Sequence, residues 1–348
     1  MTITSLFSAS ILFTVLTALS GAEPLRICAT VTDLGSLVQS VGGDAVTVTV
    51  FARGSDDPHF IEPRPSFISA LAKADALVEV GMELEIGWLP PIVQQAGNPR
   101  LLPGKVGRIV ASTAITPLGV PTGPVDRSQG DVHAAGNPHF LTDPICGMLV
   151  ARLIRDQLSR LRPDSATLFA ANYANLEGDM VRRLIGAEAA DGLDPTLVVD
   201  HAKAGTLMEF LAEHDRSAGG WLGALAVSPP DLPHAVVCDH DQWPYFARRF
   251  GLRMVGFLEP LPGLPPTSRH LAELAENMRV HGVRVILLSP YFDPRPAQKV
   301  AKATGASIVT VANQVGSLPN TGDYVSAIAY NVSAVAAAYP AQEAPASP

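Results

Sequence analysis

At 348 residues and 47% hydrophobic content, the chain is long enough to bury two ordinary domain cores, and it is neither fibrous nor disordered in composition. Its formal net charge of -8, with no run of Lys or Arg, argues against nucleic acid or an anionic membrane surface as partner.

In chain order, Leu6 to Leu19 is apolar apart from Ser and Thr and ends in Ser20-Gly21-Ala22 before the first charge, Glu23. That length suits a signal-peptide core cut after Ala22 better than a membrane span, although the leading MTITS lacks the usual basic residue. No cysteine stands at the cut, so the expectation is a periplasmic protein with no direct membrane anchor. Short apolar runs at Leu25–Thr30, Val46–Phe51 and Ala76–Val80 alternate with helical spacing at Leu34–Val41, Pro65–Ala74 and Glu83–Gln95, the last broken at Pro90-Pro91. Gly104 to Ala135 reads as a surface loop. Ile145–Leu161 and Ser165–Ala190 read as long connecting helices separated by Pro163. Thr196 to Ala226, around Trp221, reads as a partly helical insertion with no assigned role.

A second alternation follows, with strands at Ala235–Cys238, Met254–Leu258, Val283–Ser289 and Ser307–Ala312. Helices are expected at Trp243–Phe250, Ser268–His281, Ala297–Thr304 and Tyr324–Ala338. This grammar predicts an α/β protein of two lobes, each a parallel sheet flanked by helices. The divisions are a signal peptide at 1–22, an N-terminal lobe at 23–143, a helical linker at 144–192, a C-terminal lobe at 193–340 and a disordered tail at 341–348. No repeat between the lobes shows in the sequence.

Three histidines stand out. His59 lies in DPHFIEPRPS between Pro58 and Pro63, and each proline fixes its own φ and biases its predecessor toward extended geometry. An imidazole on such a stiff loop has already lost much of the entropy that ligand binding would cost. His139 follows Pro138 in GNPHFLTDP, and His240 in CDHDQWPYFARRFGL sits where a strand gives way to a helix. Open α/β sheets bind ligands beyond the carboxyl ends of their strands, so a cleft between lobes would bring these rings together. His133, in GDVHAAG, is a candidate accessory or capture ligand. His201, His214, His234, His270 and His281 are expected to be ordinary surface or core residues. Asp57, Glu62, Asp143, Asp239 and Asp241 are placed to orient ligand rings, with capping favoured for Asp143 and Asp241. Cys28, Cys146 and Cys238 share no metal-type spacing. Buried thiols are the plain expectation, with a Cys28–Cys146 disulfide or a Cys238 contact to the metal left open.

The three histidine stretches, together with EPLPGLPP, YFDPRPAQKVAKATGASIV and TGDYVSAIAYNV, resemble the zinc- and manganese-binding solute receptors of ABC importers over nearly the whole mature chain. The resemblance implies two α/β lobes joined by a long rigid helix, metal held in the cleft by His59, His139 and His240, and delivery to an ABC permease in the inner membrane. Such a receptor is expected to be monomeric. The chain departs from the pattern after the last strand, where Ala312-Asn313-Gln314 stands in place of an aspartate. The fourth position is left to water, Asn313 or an unidentified acidic residue. Three neutral imidazoles suit Zn(II), whereas Mn(II) favours carboxylate oxygen. A zinc-dependent hydrolase and a periplasmic metal chaperone are the alternatives. The hydrolase lacks an HExxH helix, a GxSxG elbow and an evident general base.

Overall fold

The computed structural model describes residues 23–123, 133–226, 234–260 and 263–339. The expected signal peptide, the tail and the middle of the Gly104–Ala135 loop lie outside the described residues. The N-terminal lobe runs β1 (Leu25–Ala29), α1 (Thr32–Gly42), β2 (Val46–Val50), α2 (Pro65–Lys73), β3 (Ala76–Glu79), α3 (Leu89–Ala96) and β4 (Arg108–Val110). Its four strands are all parallel, in the order β2-β1-β3-β4.

Two local expectations are corrected here. Pro90 and Pro91 begin α3 rather than break it, because first-turn residues have no intrahelical acceptor for an N–H and lose nothing when it is missing. β4, three residues long, lies inside the stretch expected to be loop. Its pairing with β3 supplies what so short a run cannot signal alone.

The connector is α4 (Pro144–Leu161), a short turn at Pro163–Ser165, and α5 (Ala166–Ile185). Asp143 starts α4 by accepting from Ile145 N at 2.8 Å, with Pro144 at the first helical position. Then come α6 (Ala187–Ala190), α7 (Pro195–Ala204), α8 (Leu207–Glu213) and α9 (Gly220–Ala224). Trp221 of α9 is buried in the main core, so this segment is a packing element. The C-terminal lobe runs β5 (Ala235–Cys238), α10 (Pro244–Phe250), β6 (Arg253–Phe257), α11 (Ser268–Val280), β7 (Val285–Leu288), α12 (Pro294–Thr304), β8 (Ser307–Thr310) and α13 (Tyr324–Ala337). Its sheet is again fully parallel, ordered β6-β5-β7-β8. The lobes therefore share one strand order, although their sequences show no repeat.

One apolar cluster passes from Ile27 and Val78 of the first sheet, through Ile154 and Leu184 of the connector, to Val236 and Leu287 of the second. Smaller clusters fill the outer faces. Close contacts also fix the lobes to each other. A Cβ on Gly147 of α4 would lie 2.2 Å from the Tyr324 hydroxyl, and one on Gly54 would lie 2.3 Å from the Gly316 carbonyl carbon, so both positions require glycine. Tyr324 donates its hydroxyl to Leu141 O at 2.7 Å, and Gln314 Nε2 donates to Asp56 O at 2.8 Å. Among the described residues no helix is long and apolar enough to cross a membrane.

Candidate metal centre

His59 is carried by the loop between β2 and α2. Trp88 Nε1 donates to Pro58 O at 3.1 Å, and His59 N donates to Asp57 Oδ1 at 3.0 Å. The same carboxylate oxygen meets His59 Nδ1 at 2.8 Å. That contact places the ring proton on Nδ1 and leaves Nε2 as a lone pair. Nε2 is buried and has no hydrogen-bond partner. Burial pushes the Asp57 carboxyl up, but the bonds and charge of His59 outweigh it and hold the group below the usual carboxylate value.

His139 precedes the short turn Phe140–Thr142 that leads into α4. Its backbone N donates to Asn137 Oδ1 at 3.0 Å, while Asn137 Nδ2 donates across the cleft to Asp241 O at 2.6 Å. Tyr245 of α10 donates its hydroxyl to Asn137 O and accepts from Leu118 N, both at 2.9 Å. The segment bearing His139 is therefore tied to the loop bearing His240. Asn137 was absent from the sequence-based candidates; its Asn-Pro position in NPH was the available signal.

His240 lies just beyond β5, at the point where the order of the second sheet reverses. Asp239 behind it is fully buried. One carboxylate oxygen accepts from His240 N at 2.8 Å and the other from Ser289 N at 2.7 Å. His240 Nδ1 stands 3.3 Å from Asp239 Oδ1 but off hydrogen-bond alignment, which leaves it unpartnered by strict geometry. Phe292 stacks on the ring at 5.1 Å. Burial alone would lower the His240 value, yet Asp239, Asp57 and Asp241 together hold it above the ordinary histidine range.

The structure brings all three expected rings together. Centroids lie 5.1 Å apart for His59 and His139, 5.3 Å for His139 and His240, and 6.2 Å for His59 and His240. His133 joins them, stacked on His59 at 5.4 Å with its Nε2 buried and unpartnered. Burial, then the neighbouring His59 and His240, push His133 down to about 4. Burial and the other three rings push His139 well below the usual value. Among the described residues no three His, Cys, Asp or Glu side chains meet bonding geometry for one cation as they stand. A cavity of about 30 Å³ beside His139 is lined by Asp33, Pro58, Gln242, Asn313 and Gln314 among others. Both side-chain polar atoms of Asn313 are buried and unpartnered.

The remaining candidates fall elsewhere. His201 and His214 pack on Phe210, and His234 stacks on Tyr339. His270 bonds Phe257 O, and His281 neighbours Arg253. Asp143 caps α4 and accepts from Arg249 Nε at 2.9 Å, and Glu62 is exposed. Asp241 accepts through its backbone carbonyl and heads no helix. All three thiols are buried and free, so the Cys28–Cys146 bridge is not formed. Burial pushes the Cys28 thiol up to about 12 and Cys238 well above its usual value, while Cys238 packs into the main core as a neutral hydrophobe.

Two like-ordered parallel-sheet lobes with a histidine cluster at their junction define a two-lobed α/β protein of the solute-binding type. Residues 27–209 and 225–338 match the family described as zinc-uptake complex component A, periplasmic (ZnuA), and the chain belongs to that family. It is 29% identical over 237 residues to the manganese-binding lipoprotein MntA of Halalkalibacterium halodurans, covering 68% of this chain and 61% of that protein. It is 23% identical over 278 residues to the zinc-binding lipoprotein AdcA of Streptococcus pneumoniae serotype 4, covering 80% of this chain and 46% of that one. The chain thus spans about half to three fifths of the length of these curated relatives. The fold is similar to that of a ZnuA deletion mutant with zinc bound, with a TM-score of 0.65, 21% identity, and 92% and 100% of the two chains covered.

Proposed function

We propose that this protein is a periplasmic receptor that captures Zn(II) through His59, His139 and His240 and delivers it to an ABC permease. The observation that carries this reading is the His59 ring, whose Nδ1 is engaged by Asp57 while its buried, unpartnered Nε2 belongs to a cluster with two other imidazoles. With Zn–N bonds of about 2.1 Å and about 1.1 Å from nitrogen to ring centre, tetrahedral imidazoles place their centroids about 5.2 Å apart. Two of the three spacings lie within a few tenths of an ångström of that figure and the third is an ångström longer. Rotation of side chains rather than movement of lobes would therefore close the shell.

Asp57 and Asp239, one behind each of two rings, offset the dipositive charge without entering the coordination sphere. A nitrogen-rich donor set favours zinc over manganese, which prefers carboxylate oxygen. The family described for zinc uptake supports the same choice, while the manganese-binding name of one relative makes manganese the ion to compete against it. The test is metal analysis of the purified protein with each histidine replaced in turn by Ala. One zinc per chain, lost in each variant while circular dichroism stays unchanged, is expected. Zinc retained in all three variants overturns the site.

A further inference from the structure

We infer that His133 supplies the fourth donor, making the site an all-imidazole tetrahedron in which the position left open by Asn313 is not needed. This inference rests on the zinc reading above and deepens it into a statement about selectivity. Three observations point to His133. Its Nε2 is buried and without a partner. Its ring stacks on that of His59, with centroids 5.4 Å and planes 24° apart, so it stands beside the cluster and a change of side-chain rotamer would turn its Nε2 toward the metal that the other rings share.

The third observation is that its backbone is held by a purpose-shaped contact. Met82 and Glu83 both adopt left-handed geometry, φ 50° and 66°, a conformation that costs energy in residues with a Cβ. From there the Glu83 carboxylate accepts from Ala134 N at 2.7 Å. His133 O in turn accepts from Gly136 N at 3.2 Å, and Asn137 N donates to Leu118 O at 2.8 Å. The turn between His133 and His139 is thereby pinned at both ends.

Asn313 is the competing donor, since its amide is buried and unpartnered beside the cavity that His139 lines. An amide oxygen and an imidazole nitrogen differ in what they select. A fourth imidazole completes a borderline-soft shell that suits zinc and has no oxygen to attract manganese, whereas an amide oxygen makes the site harder.

The experiment is X-ray absorption on the full chain loaded with one equivalent of zinc, comparing wild type, His133→Ala, His133→Cys and Asn313→Ala. Four imidazoles are expected in wild type and in Asn313→Ala. His133→Ala should show three imidazoles and an oxygen, with zinc affinity lower by at least the roughly 10- to 100-fold lost when a residue that only orients a ligand is removed. Its preference for zinc over manganese should narrow by a similar factor. His133→Cys should bring a sulfur into the shell at about 2.3 Å, a gain of signal that does not depend on the Ala variant folding well. Zinc held by three imidazoles in both wild type and His133→Ala, or an oxygen that disappears only in Asn313→Ala, overturns the role of His133 and leaves the receptor reading standing. No stoichiometric zinc in wild type overturns both.

Discussion

The two lobes share a strand order but deliver their histidines to the site differently. His59 comes after the second strand of its sheet, on a proline-braced loop whose Ile61 packs into the outer cluster, oriented by an Asp57 side chain that is 30% exposed. His240 comes at the end of the first strand of its sheet, oriented by a fully buried Asp239 that also accepts from Ser289 beside β7. One orienting carboxylate is an accessory of the site; the other is part of the fold. The same secondary-structure order therefore does not fix how a ligand is held. What decides it is whether the supporting group lies inside the core or on its rim.

Asp239→Ala should give the largest effect of those that test this contrast. Removing it leaves the backbone N–H groups of His240 and Ser289 buried and unpaired, at about 1–3 kcal/mol each, so thermal unfolding should move to lower temperature together with a loss of zinc affinity. Asp57→Ala should lower affinity by roughly 10- to 100-fold and lower the unfolding temperature of metal-free protein by less, because it releases one part-buried backbone N–H, that of His59, where Asp239→Ala releases two buried ones. Equal thermal shifts for the two variants would erase the distinction between the lobes.

Proton competition sharpens the comparison. Zinc requires neutral rings, and His240 is held above the ordinary histidine value by its carboxylates. Affinity should therefore begin to fall above pH 6.5 on acidification, by up to about tenfold per unit for one competing proton. His133 and His139, pushed down by burial and by one another, add little to this competition until far lower pH. For the metal-free fold the signs differ. The raised His240 contributes stability that is present below about pH 6.5 and lost as pH rises through its folded value. The lowered His133 and His139 withdraw stability as pH falls from about 6.5 toward 4. Zinc titrations by chelator competition from pH 8 to 5 should thus show a falling slope whose onset Asp239→Asn shifts to lower pH. A slope unmoved by that change would remove His240 as the titrating ligand.

The smallest effect belongs to the contact between the lobes. Tyr324→Phe deletes the donor to Leu141 O and should cost about 1 kcal/mol in chemical denaturation, with zinc affinity nearly constant. A large affinity loss would mean that relative movement of the lobes, rather than side-chain rotation, completes the site.

Much of this could be read in the chain. Alternating apolar runs and helical spacings specified two α/β lobes because burial on both faces of a parallel sheet leaves that imprint in local sequence. Proline on either side of His59, and the positions of His139 and His240 beside strand or helix ends, marked the three rings for the same local reason. β4 escaped because three residues carry no period. His133 could be named only as an accessory, because its place depends on a turn held by Glu83 from a different part of the chain.

The sequence by itself pointed to most of the elements, to the two-lobed class and to the three histidines, since each follows from constraints acting over a few neighbouring residues. Only the tertiary structure decided that the lobes share one strand order, that a fourth imidazole stacks on His59, and that Asp239 belongs to the core while Asp57 sits at its edge. Those facts arise from contacts between residues tens of positions apart, and such pairings have no local energetic signature to read.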